Sequence, residues 1–390
     1  VLRAIRAGLS QKPLALAVDF NGSARTCSID GAYLRDLGVG FFAIHDTAGD
    51  IAHRIVPEGE SLEPCRRLLE ELHTKNRAFI AGYVPDCDGD RGNLVVWDDG
   101  ENRARALEAQ EVFALAVLAE LAFLAARGAD MAKVAVAVND PTSMRVDEIA
   151  AYFGARVFRA EVGEANVVAL ARRLREDGFV VRPLGEGAAG GVIIAPSLVR
   201  DPLDTIGALL KLMALRGGNG APGLFGIWCE KRGLPAPPAD WTLADVLATI
   251  PRWTTTGAYC AGALLCIQSE SHAALKSRYQ KIFLREWEGG MRERLARRGI
   301  VRWRAFRYNG AEERETACFG DAGRGGLKII FYDTTDLPQA ALWMRGSGTE
   351  PVFRVMAEAR AGTAGAAETE QELLNWQRAM TLEADTGGAG

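Results

Sequence analysis

The chain has 390 residues, a formal net charge of −4 and 25% charged residues, with no basic block that would indicate a general nucleic-acid binder. Its apolar content of 48% is that of an ordinary globular protein, and the length predicts about two to four domains. Seven scattered cysteines without a CxxC pair indicate reduced thiols in a cytoplasmic protein. The longest apolar run, at 112–126, contains Glu120 and is too short to span a bilayer, so it predicts a buried helix.

Strands and helices alternate in the first third of the sequence. Apolar runs predict strands at 14–19, 41–44 and 78–84. Helical periodicity is found around Leu34, at 64–75 and at 107–127. This alternation favours a parallel sheet with helices on its faces.

The same alternation restarts after residue 128. Strands are predicted at 133–138, 155–160 and 179–184, and helices at 146–153, 164–177 and 204–216. Two later segments, 235–238 and 253–257, are interpreted as linkers. The second stretch is therefore a second α/β unit of similar organisation.

The final third has a different organisation. A charged helical stretch is predicted at 269–298, followed by strands at 301–308, 326–332, 341–344 and 352–357. Helices and strands segregated in this way indicate an α+β domain. The segment after residue 361 is rich in Ala, Gly and Glu, and its apolar residues at helical spacing predict one docked helix, with Leu373, Trp376 and Met380 on the same face.

The predicted fold class is therefore α/β, with two consecutive α/β domains containing parallel or mixed sheets, followed by an α+β C-terminal domain. The predicted boundaries are 1–128 and 129–250 for the α/β domains, 251–365 for the α+β domain and 366–390 for a C-terminal tail.

An acidic loop, defined here as residues 86–91, follows the third predicted strand with the sequence Asp-Cys-Asp-Gly-Asp-Arg. Its three carboxylates, Asp86, Asp88 and Asp90, suit Mg²⁺, which takes oxygen ligands from one or two carboxylates, water and phosphate. An EF-hand loop is excluded because its sixth and twelfth positions would be Arg91 and Trp97 instead of Gly and Glu. The alternative is a solvated turn rich in Asp. Arg91 beside the carboxylates is a candidate for balancing charge and holding a phosphate.

A glycine-rich loop, defined as residues 185–191, follows the strand predicted at 179–184 and carries one acidic residue, Glu186. A carboxylate there can accept hydrogen bonds from two sugar hydroxyls, and the glycines let a ligand approach the backbone. The signal is weak alone, because Ala/Gly-rich turns with one Glu are common. The loop matches neither a P-loop nor a dinucleotide fingerprint.

A third loop, Arg-Gly-Ser-Gly-Thr-Glu-Pro at 345–351, lies between two predicted strands. Arg345 offers bidentate contacts to phosphate, and backbone N–H groups around Gly348 can form an anion nest. Ser347 and Thr349 add hydroxyl donors, and Arg354 adds charge on the following strand. The alternative is an ordinary turn between strands.

Taken in order, these three loops resemble the α-D-phosphohexomutase superfamily, the phosphoglucomutases and phosphomannomutases. Residues 86–91 are similar to its DGDGDR metal loop, 185–191 to its GEESGG or GEGxxGG sugar-binding loop, and 345–351 to its RxSGTEP phosphate loop. The segment 162–166 resembles the residues ahead of the helix of the third domain. The resemblance extends over nearly the whole chain.

The superfamily has four domains, and the resemblance implies that this chain holds the second to the fourth. The first domain carries a phosphorylated serine in a Thr-x-Ser-His-Asn-Pro-type loop. No Ser-His-Asn-Pro run occurs in these residues, so the serine-bearing domain is expected to be missing.

The resemblance implies an intramolecular phosphotransferase, an isomerase that interconverts hexose 1-phosphate and hexose 6-phosphate through a phosphoserine and a bisphosphorylated sugar. It implies Mg²⁺ on the three aspartates of the acidic loop, with Arg91 taking a catalytic role. It implies sugar binding at Glu186 and position 188, and phosphate binding at Arg345, Ser347, Gly348, Thr349 and Arg354. The expected partners are glucose or mannose 1- and 6-phosphate, with no nucleic acid and no membrane.

The chain departs from the superfamily pattern in three respects. Ala188 stands where many members have a serine that contacts the sugar, and Cys87 stands where glycine is usual. The histidine found in this loop of many phosphomannomutases is replaced by glycine at 190 and 191, which favours phosphoglucomutase-like members. The four histidines, at 45, 53, 73 and 272, lie outside the motifs and are interpreted as ordinary surface or core residues.

Three hypotheses remain open. The first is a phosphohexomutase without its serine-bearing domain, for which this chain alone is expected to be inactive. The second is a non-catalytic three-domain relative that binds sugar phosphates. The third is a Mg²⁺-dependent phosphatase that uses water instead of serine. Phosphates of glucose, mannose, N-acetylglucosamine or a pentose remain open as ligands.

Overall fold

A computed structural model describes residues 1–218, 220–347, 352–361 and 365–386. The chain divides into two compact units, each discontinuous in sequence. Unit 1 comprises Val1–Val136, Val146–Arg156 and Leu174–Ile250. Unit 2 comprises Ala137–Arg145, Val157–Arg173 and Pro251–Gly390. The architecture is mixed α/β with parallel strands in its sheets, and the domain boundaries at 128, 250 and 365 stay predictions.

The first stretch of the chain alternates helices and strands as predicted. Its helices are Leu2–Gln11 (α1), Asp30–Leu37 (α2), Glu63–Lys75 (α3) and Ala109–Ala126 (α4). Its strands are Ala15–Asp19 (β1), Gly40–Ile44 (β2), Phe79–Pro85 (β3), Gly92–Asp98 (β4) and Arg103–Ala106 (β5).

These five strands form one sheet in the order β2-β1-β3-β4-β5. The first three are mutually parallel, whereas β4 and β5 run antiparallel to their neighbours. The sheet is therefore mixed, and β4 and β5 are absent from the sequence-based prediction. Since β1, β2 and β3 are parallel, their carboxyl ends lie at one edge of the sheet, and β3 delivers the acidic loop to that edge.

Helix α4 is apolar around nearly its whole circumference, as the sequence predicts for a buried helix. It begins with a capping box in which the side chains of Glu108 and Glu111 accept from each other's backbone N–H groups. By length and composition alone it is the one described helix that could cross a membrane, but 72% of it is buried within the protein, as in a core helix. Its one interior charge, Glu120, forms ion pairs with Lys211 and Arg182 of the same unit.

The second stretch contains a four-stranded sheet and five helices. The strands are Val134–Asn139 (β6), Arg156–Ala160 (β7), Val180–Glu186 (β8), Gly191–Ile194 (β9), Gly217–Gly218 (β10) and Ala221–Pro222 (β11). The helices are Arg145–Phe153 (α5), Glu164–Glu176 (α6), Pro202–Ala214 (α7), Leu224–Arg232 (α8) and Leu243–Thr249 (α9). The sheet order is β7-β6-β8-β9, and β10 pairs with β11 as a separate hairpin.

The last stretch forms a seven-stranded sheet. Its strands are Trp253–Thr255 (β12), Leu264–Cys266 (β13), Arg302–Asn309 (β14), Glu312–Glu315 (β15), Gly326–Tyr332 (β16), Pro338–Gly346 (β17) and Val352–Arg360 (β18). Its helices are His272–Glu286 (α10), Arg292–Ala296 (α11) and Ala366–Thr386 (α12). The strand order is β12-β18-β17-β16-β14-β15, with β13 also paired to β18, and every pairing is antiparallel.

The interpretation of 253–257 as a linker is wrong, because 253–255 is the strand β12. This strand pairs with Glu358–Arg360 at the far end of β18. The paired residues are about a hundred positions apart, so the local sequence does not indicate the pairing. The docked helix predicted near the C-terminus is confirmed as α12. Leu373, Trp376 and Met380 lie in the same hydrophobic core as α10 and the inner face of the sheet.

Candidate functional site

The acidic loop folds around its first aspartate. One carboxylate oxygen of Asp86 accepts hydrogen bonds from the backbone N–H groups of Gly89 and Arg91, each at 3.1 Å. The other oxygen accepts from Nε of Arg91 at 2.7 Å, and the backbone N–H of Asp86 donates to the carbonyl of Arg91 at 3.0 Å. Gly89 has φ 78° and lies against the side chain of Arg25. The loop is thus a closed six-residue turn.

The three carboxylates of this loop come together as the sequence predicts. Asp86, Asp88 and Asp90 each offer an oxygen, and these atoms lie within 4.8 Å of one another. Burial raises the pKa of Asp86, and the neighbouring charges of Asp88 and Asp90 add to the rise, whereas Arg91 opposes it. The buried Oδ1 of Asp90 accepts no hydrogen bond from the described residues. Clustered carboxylates with an unsatisfied oxygen fit a divalent cation of the Mg²⁺ type.

The glycine-rich loop is a tight hairpin whose first strand extends two residues further than predicted. Strand β8 continues to Glu186, which pairs with Gly191 at the start of β9. Glu186 is 5% exposed and Ala188 is 6% exposed. Gly190, with φ 73°, follows the single helical turn 187–189 that closes the hairpin.

One arginine joins the acidic loop to the glycine-rich loop. Arg200 forms an ion pair with Oδ2 of Asp90 and a second with Oε2 of Glu186, the latter at 3.1 Å. The two loops are therefore within reach of a single side chain in unit 1. Sequence reasoning missed Arg200, since an isolated arginine between Val199 and Asp201 carries no motif.

The third predicted loop lies at one end of the basic hairpin, defined here as β17 and β18. Arg345 and Arg354 are directly opposite each other on these strands, an arrangement of like charges that is unfavourable without an anion nearby. Nε of Arg345 donates to Glu161 at 3.0 Å, and a guanidinium N–H of Arg354 donates to the carbonyl of Ala258 at 3.1 Å. The backbone N–H of Ser347 donates to the carbonyl of Val352 at 2.8 Å. Gly348 and Thr349 lie outside the described residues.

The surroundings of Arg345 within unit 2 are electropositive. His272 lies against Gly346, and burial, together with Lys276, Arg324 and Arg345, lowers the pKa of His272. Lys276 is fully buried and donates to the carbonyls of Gly323 and Gly325. Arg324 and Arg345 suit an anionic group, whereas the lowered pKa of His272 favours its neutral form.

A buried acid balances part of this charge. Burial raises the pKa of Asp140 to about 7, although a hydrogen bond from Trp343 and the nearby Arg345 and Lys328 oppose the rise. Burial likewise lowers the pKa of Lys276 to about 7. Asp140, Glu161 and Lys276 belong to no motif, although Glu161 directly precedes the segment 162–166 that resembles the superfamily.

Two of the four histidines also differ from the interpretation as ordinary residues. His45 and His53 converge on the buried carboxylate of Asp19, with a ring nitrogen of each within hydrogen-bonding distance. The three residues lie 26 and 34 positions apart in sequence, so spacing alone does not reveal the contact.

No family model and no curated protein matches this chain in sequence. Solved structures match it at low identity. A phosphoglucomutase/phosphomannomutase family protein from Burkholderia thailandensis superposes with a TM-score of 0.58 at 16% identity, covering 97% of this chain and 63% of that one. The open form of parafusin, a phosphoglucomutase from Paramecium, gives a TM-score of 0.58 at 12% identity, covering 97% of this chain and 59% of that one.

At sequence identities this low, the similarity of the structures establishes the fold alone. The chain has the fold seen in phosphoglucomutase and phosphomannomutase structures, which confirms the resemblance drawn from its three loops at that level. It spans less than two thirds of the length of either structure.

Proposed function

We propose that this chain is the metal-, sugar- and phosphate-binding part of a phosphohexomutase that interconverts hexose 1-phosphate and hexose 6-phosphate. The reaction would pass through a phosphoserine and a bisphosphorylated sugar. These 390 residues contain no Ser-His-Asn-Pro run, so the serine would come from residues outside this sequence. A cytoplasmic location stays a prediction from the scattered cysteines.

The acidic loop would hold Mg²⁺ on Asp86, Asp88 and Asp90. Such an ion, when bound, neutralises charge that develops on a transferring phosphoryl group. Arg91 donates to Asp86 at 2.7 Å and would keep that carboxylate oriented toward the cation. Its guanidinium would also contact a phosphoryl oxygen beside the metal.

The glycine-rich loop would position the sugar. Glu186 would accept hydrogen bonds from two hydroxyls, and Arg200 fixes its carboxylate by the 3.1 Å contact. Ala188 offers a methyl group where a serine would offer a donor, so this position would contribute shape without a hydrogen bond.

The basic hairpin would hold the phosphate that is not reacting. Arg345 and Arg354 supply positive charge from neighbouring strands, and Ser347 supplies a hydroxyl. Glu161 keeps the Arg345 side chain oriented through the 3.0 Å contact. Arginine forks bind phosphate by paired hydrogen bonds, which makes the contact directional.

The observation that best supports this proposal is the double ion pair of Arg200 with Asp90 and Glu186. The acidic loop and the glycine-rich loop were predicted separately, one as a metal site and one as a sugar site. The single side chain that bridges them supports the proposal, because a metal-assisted transfer to a sugar would need the metal site and the sugar site close together.

Calorimetric titration of the whole chain tests the proposal. We expect glucose 1-phosphate to bind in the presence of Mg²⁺ and glucose to bind far more weakly. Asp88→Asn should weaken Mg²⁺ binding, whereas Asp36→Asn, at an exposed aspartate paired with Arg6, should not. Unchanged Mg²⁺ affinity in Asp88→Asn would remove the metal assignment.

The phosphate assignment is tested in the same way. Arg345→Ala should weaken glucose 1-phosphate binding much more than glucose binding, because it removes a phosphate contact. Arg314→Ala, at an exposed arginine paired with Glu312 in the same unit, is the matched control. Equal losses for the two ligands would count against the phosphate role.

Catalysis is tested separately from binding. The DNA directly upstream of the Val1 codon should encode, in frame, an α/β segment with a Thr-x-Ser-His-Asn-Pro run. A start codon close by without that run would favour the second candidate, a non-catalytic sugar-phosphate-binding protein.

A further inference from the structure

We propose that Asp19, His45 and His53, the histidine cluster, form a second metal site that binds a transition-metal cation of the Zn²⁺ type. The cluster belongs to unit 1 and is separate from the acidic loop. Asp19 is the last residue of β1, and His45 directly follows β2, its parallel neighbour. His53 is supplied by the loop that follows. The inference does not depend on the proposed mutase function.

The donor atoms of the cluster already converge. Nδ1 of His45 is 2.9 Å from one carboxylate oxygen of Asp19, and Nε2 of His53 is 3.1 Å from the other. All three donor atoms lie within 4.8 Å of one another. Zn²⁺ bonds of about 2.0–2.2 Å keep neighbouring ligand atoms roughly 3.4 Å apart in a tetrahedral site. In such a site each ring nitrogen and its carboxylate oxygen would move apart by about 0.3–0.5 Å to admit the ion.

The hydrogen bonds of His53 expose a lone pair toward the carboxylate. Its Nδ1 lies 3.1 Å from the carbonyl oxygen of Arg54, and a carbonyl can only accept, so Nδ1 carries a proton. In the neutral ring Nε2 is then an acceptor, and it faces a carboxylate oxygen, which is also an acceptor. Two facing acceptors require either a metal cation or a proton between them. A metal-bound histidine characteristically donates its other N–H to a carbonyl.

The surrounding structure fixes the cluster in place. Asn21, buried and with φ 45°, accepts from the backbone N–H groups of Ala52 and His53 at 2.9 Å and donates to the carbonyl of His53 at 3.1 Å. The backbone N–H of Asn21 also donates to Asp19 at 3.1 Å. The loop that carries His53 is thus tied to the end of β1, and the site is held before any ion arrives.

The type of donor selects the type of metal. Two imidazole nitrogens and one carboxylate oxygen suit Zn²⁺ and related transition metals, whereas Mg²⁺ prefers oxygen ligands alone. Asp19 is fully buried, but the side chain of His45 is 34% exposed, so an ion can enter and a further coordination position can take water. Three protein ligands with an open position are the arrangement of reactive zinc sites.

The location adds a consequence for the acidic loop. β1 pairs in parallel with both β2 and β3, so the histidine cluster and the acidic loop lie at the same edge of one sheet. The backbone N–H of Ala24, shortly after Asp19, donates to the carbonyl of Cys87 in the acidic loop at 2.9 Å. The proposal therefore places a nitrogen-rich cation site next to an oxygen-only one.

Zinc titration of the metal-free whole chain, with Mg²⁺ in excess to occupy the acidic loop, tests the site. We expect the unmodified protein to bind one Zn²⁺ per chain. The variants His53→Gln and His45→Asn should each lose this binding. The amide group of Gln at position 53 would lie about where Nε2 of His53 lies, and that of Asn at position 45 about where Nδ1 of His45 lies. Each variant therefore keeps a hydrogen-bond donor to Asp19, but its amide is a poor metal ligand. Affinity should fall by more than the roughly 10- to 100-fold that losing an outer-shell partner costs. Asp88→Asn, altered in the acidic loop, should bind Zn²⁺ as the unmodified chain does.

Cobalt substitution separates this site from the cysteines. Co²⁺ in the histidine cluster should give visible bands without thiolate charge-transfer absorption, because its ligands are nitrogen and oxygen. Thiolate bands would show that a cysteine holds the metal and would overturn the proposal. So would absence of Zn²⁺ binding by the unmodified chain, or Zn²⁺ binding by both amide variants that is as tight as that of the unmodified chain. In each of these cases a proton, and no metal ion, would lie between His53 and Asp19.

Discussion

The acidic loop folds on hydrogen bonds among its own six residues, whereas the basic hairpin orients Arg345 with Glu161, which lies 184 residues earlier in the chain. The residues that shape the acidic loop lie in one short segment of the sequence. The arrangement around Arg345 exists only after distant segments of unit 2 have come together. The acidic loop can therefore be recognised in the sequence together with the residues that support it. The basic hairpin can be recognised only by the residues of its loop, because the residue that orients Arg345 lies elsewhere in the sequence.

The two regions also handle charge differently. The acidic loop gathers three carboxylates and balances them with arginines at its rim, Arg91 and Arg200. The lysines around the basic hairpin are buried. Lys328 forms an ion pair with Glu358, and Lys276 donates hydrogen bonds to backbone carbonyls of unit 2. Disturbing the hairpin should therefore affect stability, and disturbing the acidic loop should affect binding.

The largest effect is expected from Glu358→Ala. Glu358 forms a 3.1 Å ion pair with Lys328, and both side chains are at most 7% exposed. Removing one partner leaves a buried charge and should lower the free energy of unfolding by about 3–5 kcal/mol. Glu315→Ala breaks an exposed pair with Arg304 and should cost less than about 1 kcal/mol. Similar losses in denaturant titrations would contradict the contrast.

Gly346→Ala should show how tightly the hairpin is packed. A Cβ at this position would lie 1.9 Å from Cε1 of His272, so overpacking should cost about 1–3 kcal/mol of unfolding free energy. The control is Gly207→Ala inside α7, where nothing lies within 4 Å; it should be neutral or stabilise by up to about 1 kcal/mol. His272→Ala should rescue Gly346→Ala in a double-mutant cycle, and a purely additive pair would refute the contact.

Lys276 should give unit 2 a pH dependence of stability. Its pKa is lowered to about 7 from an ordinary value of 10.5. Between these values the unfolded chain holds the proton and the folded chain does not, so unfolding free energy rises with pH. The slope is at most about 1.4 kcal/mol per pH unit.

Denaturant titrations at several pH values between 7 and 10 measure this slope. The unmodified chain should gain stability with pH more steeply than Lys276→Met, in which the group is absent. Asp140 has a pKa of about 7 and titrates mainly below this window, so it does not obscure the comparison. Parallel profiles for the two proteins would show that Lys276 keeps its proton when the chain is folded.

The smallest effect is expected from Arg200→Ala. Its guanidinium competes with a cation for the carboxylate of Asp90, so its removal should strengthen Mg²⁺ binding by about 0.5–1 kcal/mol, or two- to fivefold. The control is Arg67→Ala, at an exposed arginine of α3 that pairs with Glu63. Calorimetry in low salt measures both, and weaker binding in Arg200→Ala would show that the arginine organises the loop instead of competing.

Sequence predicted most of the elements that make local contacts. The strand at 326–332 and the helix at 64–75 agree with the structure to within a residue, because their apolar periodicity is clear. The three loops were found because their residues are adjacent in sequence. The three aspartates of the acidic loop do converge, but their role, like that of Glu186 and Arg345, stays a prediction.

What the sequence did not predict depends on distant pairing. Strand β12 was taken for a linker because its partner lies about a hundred residues later. Arg200, Glu161 and Asp19 become recognisable only when the fold brings their partners to them. Such residues lack a local pattern because their neighbours in sequence are not their neighbours in space.

The ion pairs of Glu120 constrain the order in which the chain can fold as it is synthesised. Its partner Lys211 lies 91 residues later and Arg182 lies 62 residues later. Until the ribosome has made both, α4 carries a carboxylate that its apolar groove cannot accept in charged form. We therefore expect α4 to reach its buried position only after both partners have been made, and a chain stopped before residue 211 to expose a long apolar helix near the ribosome exit.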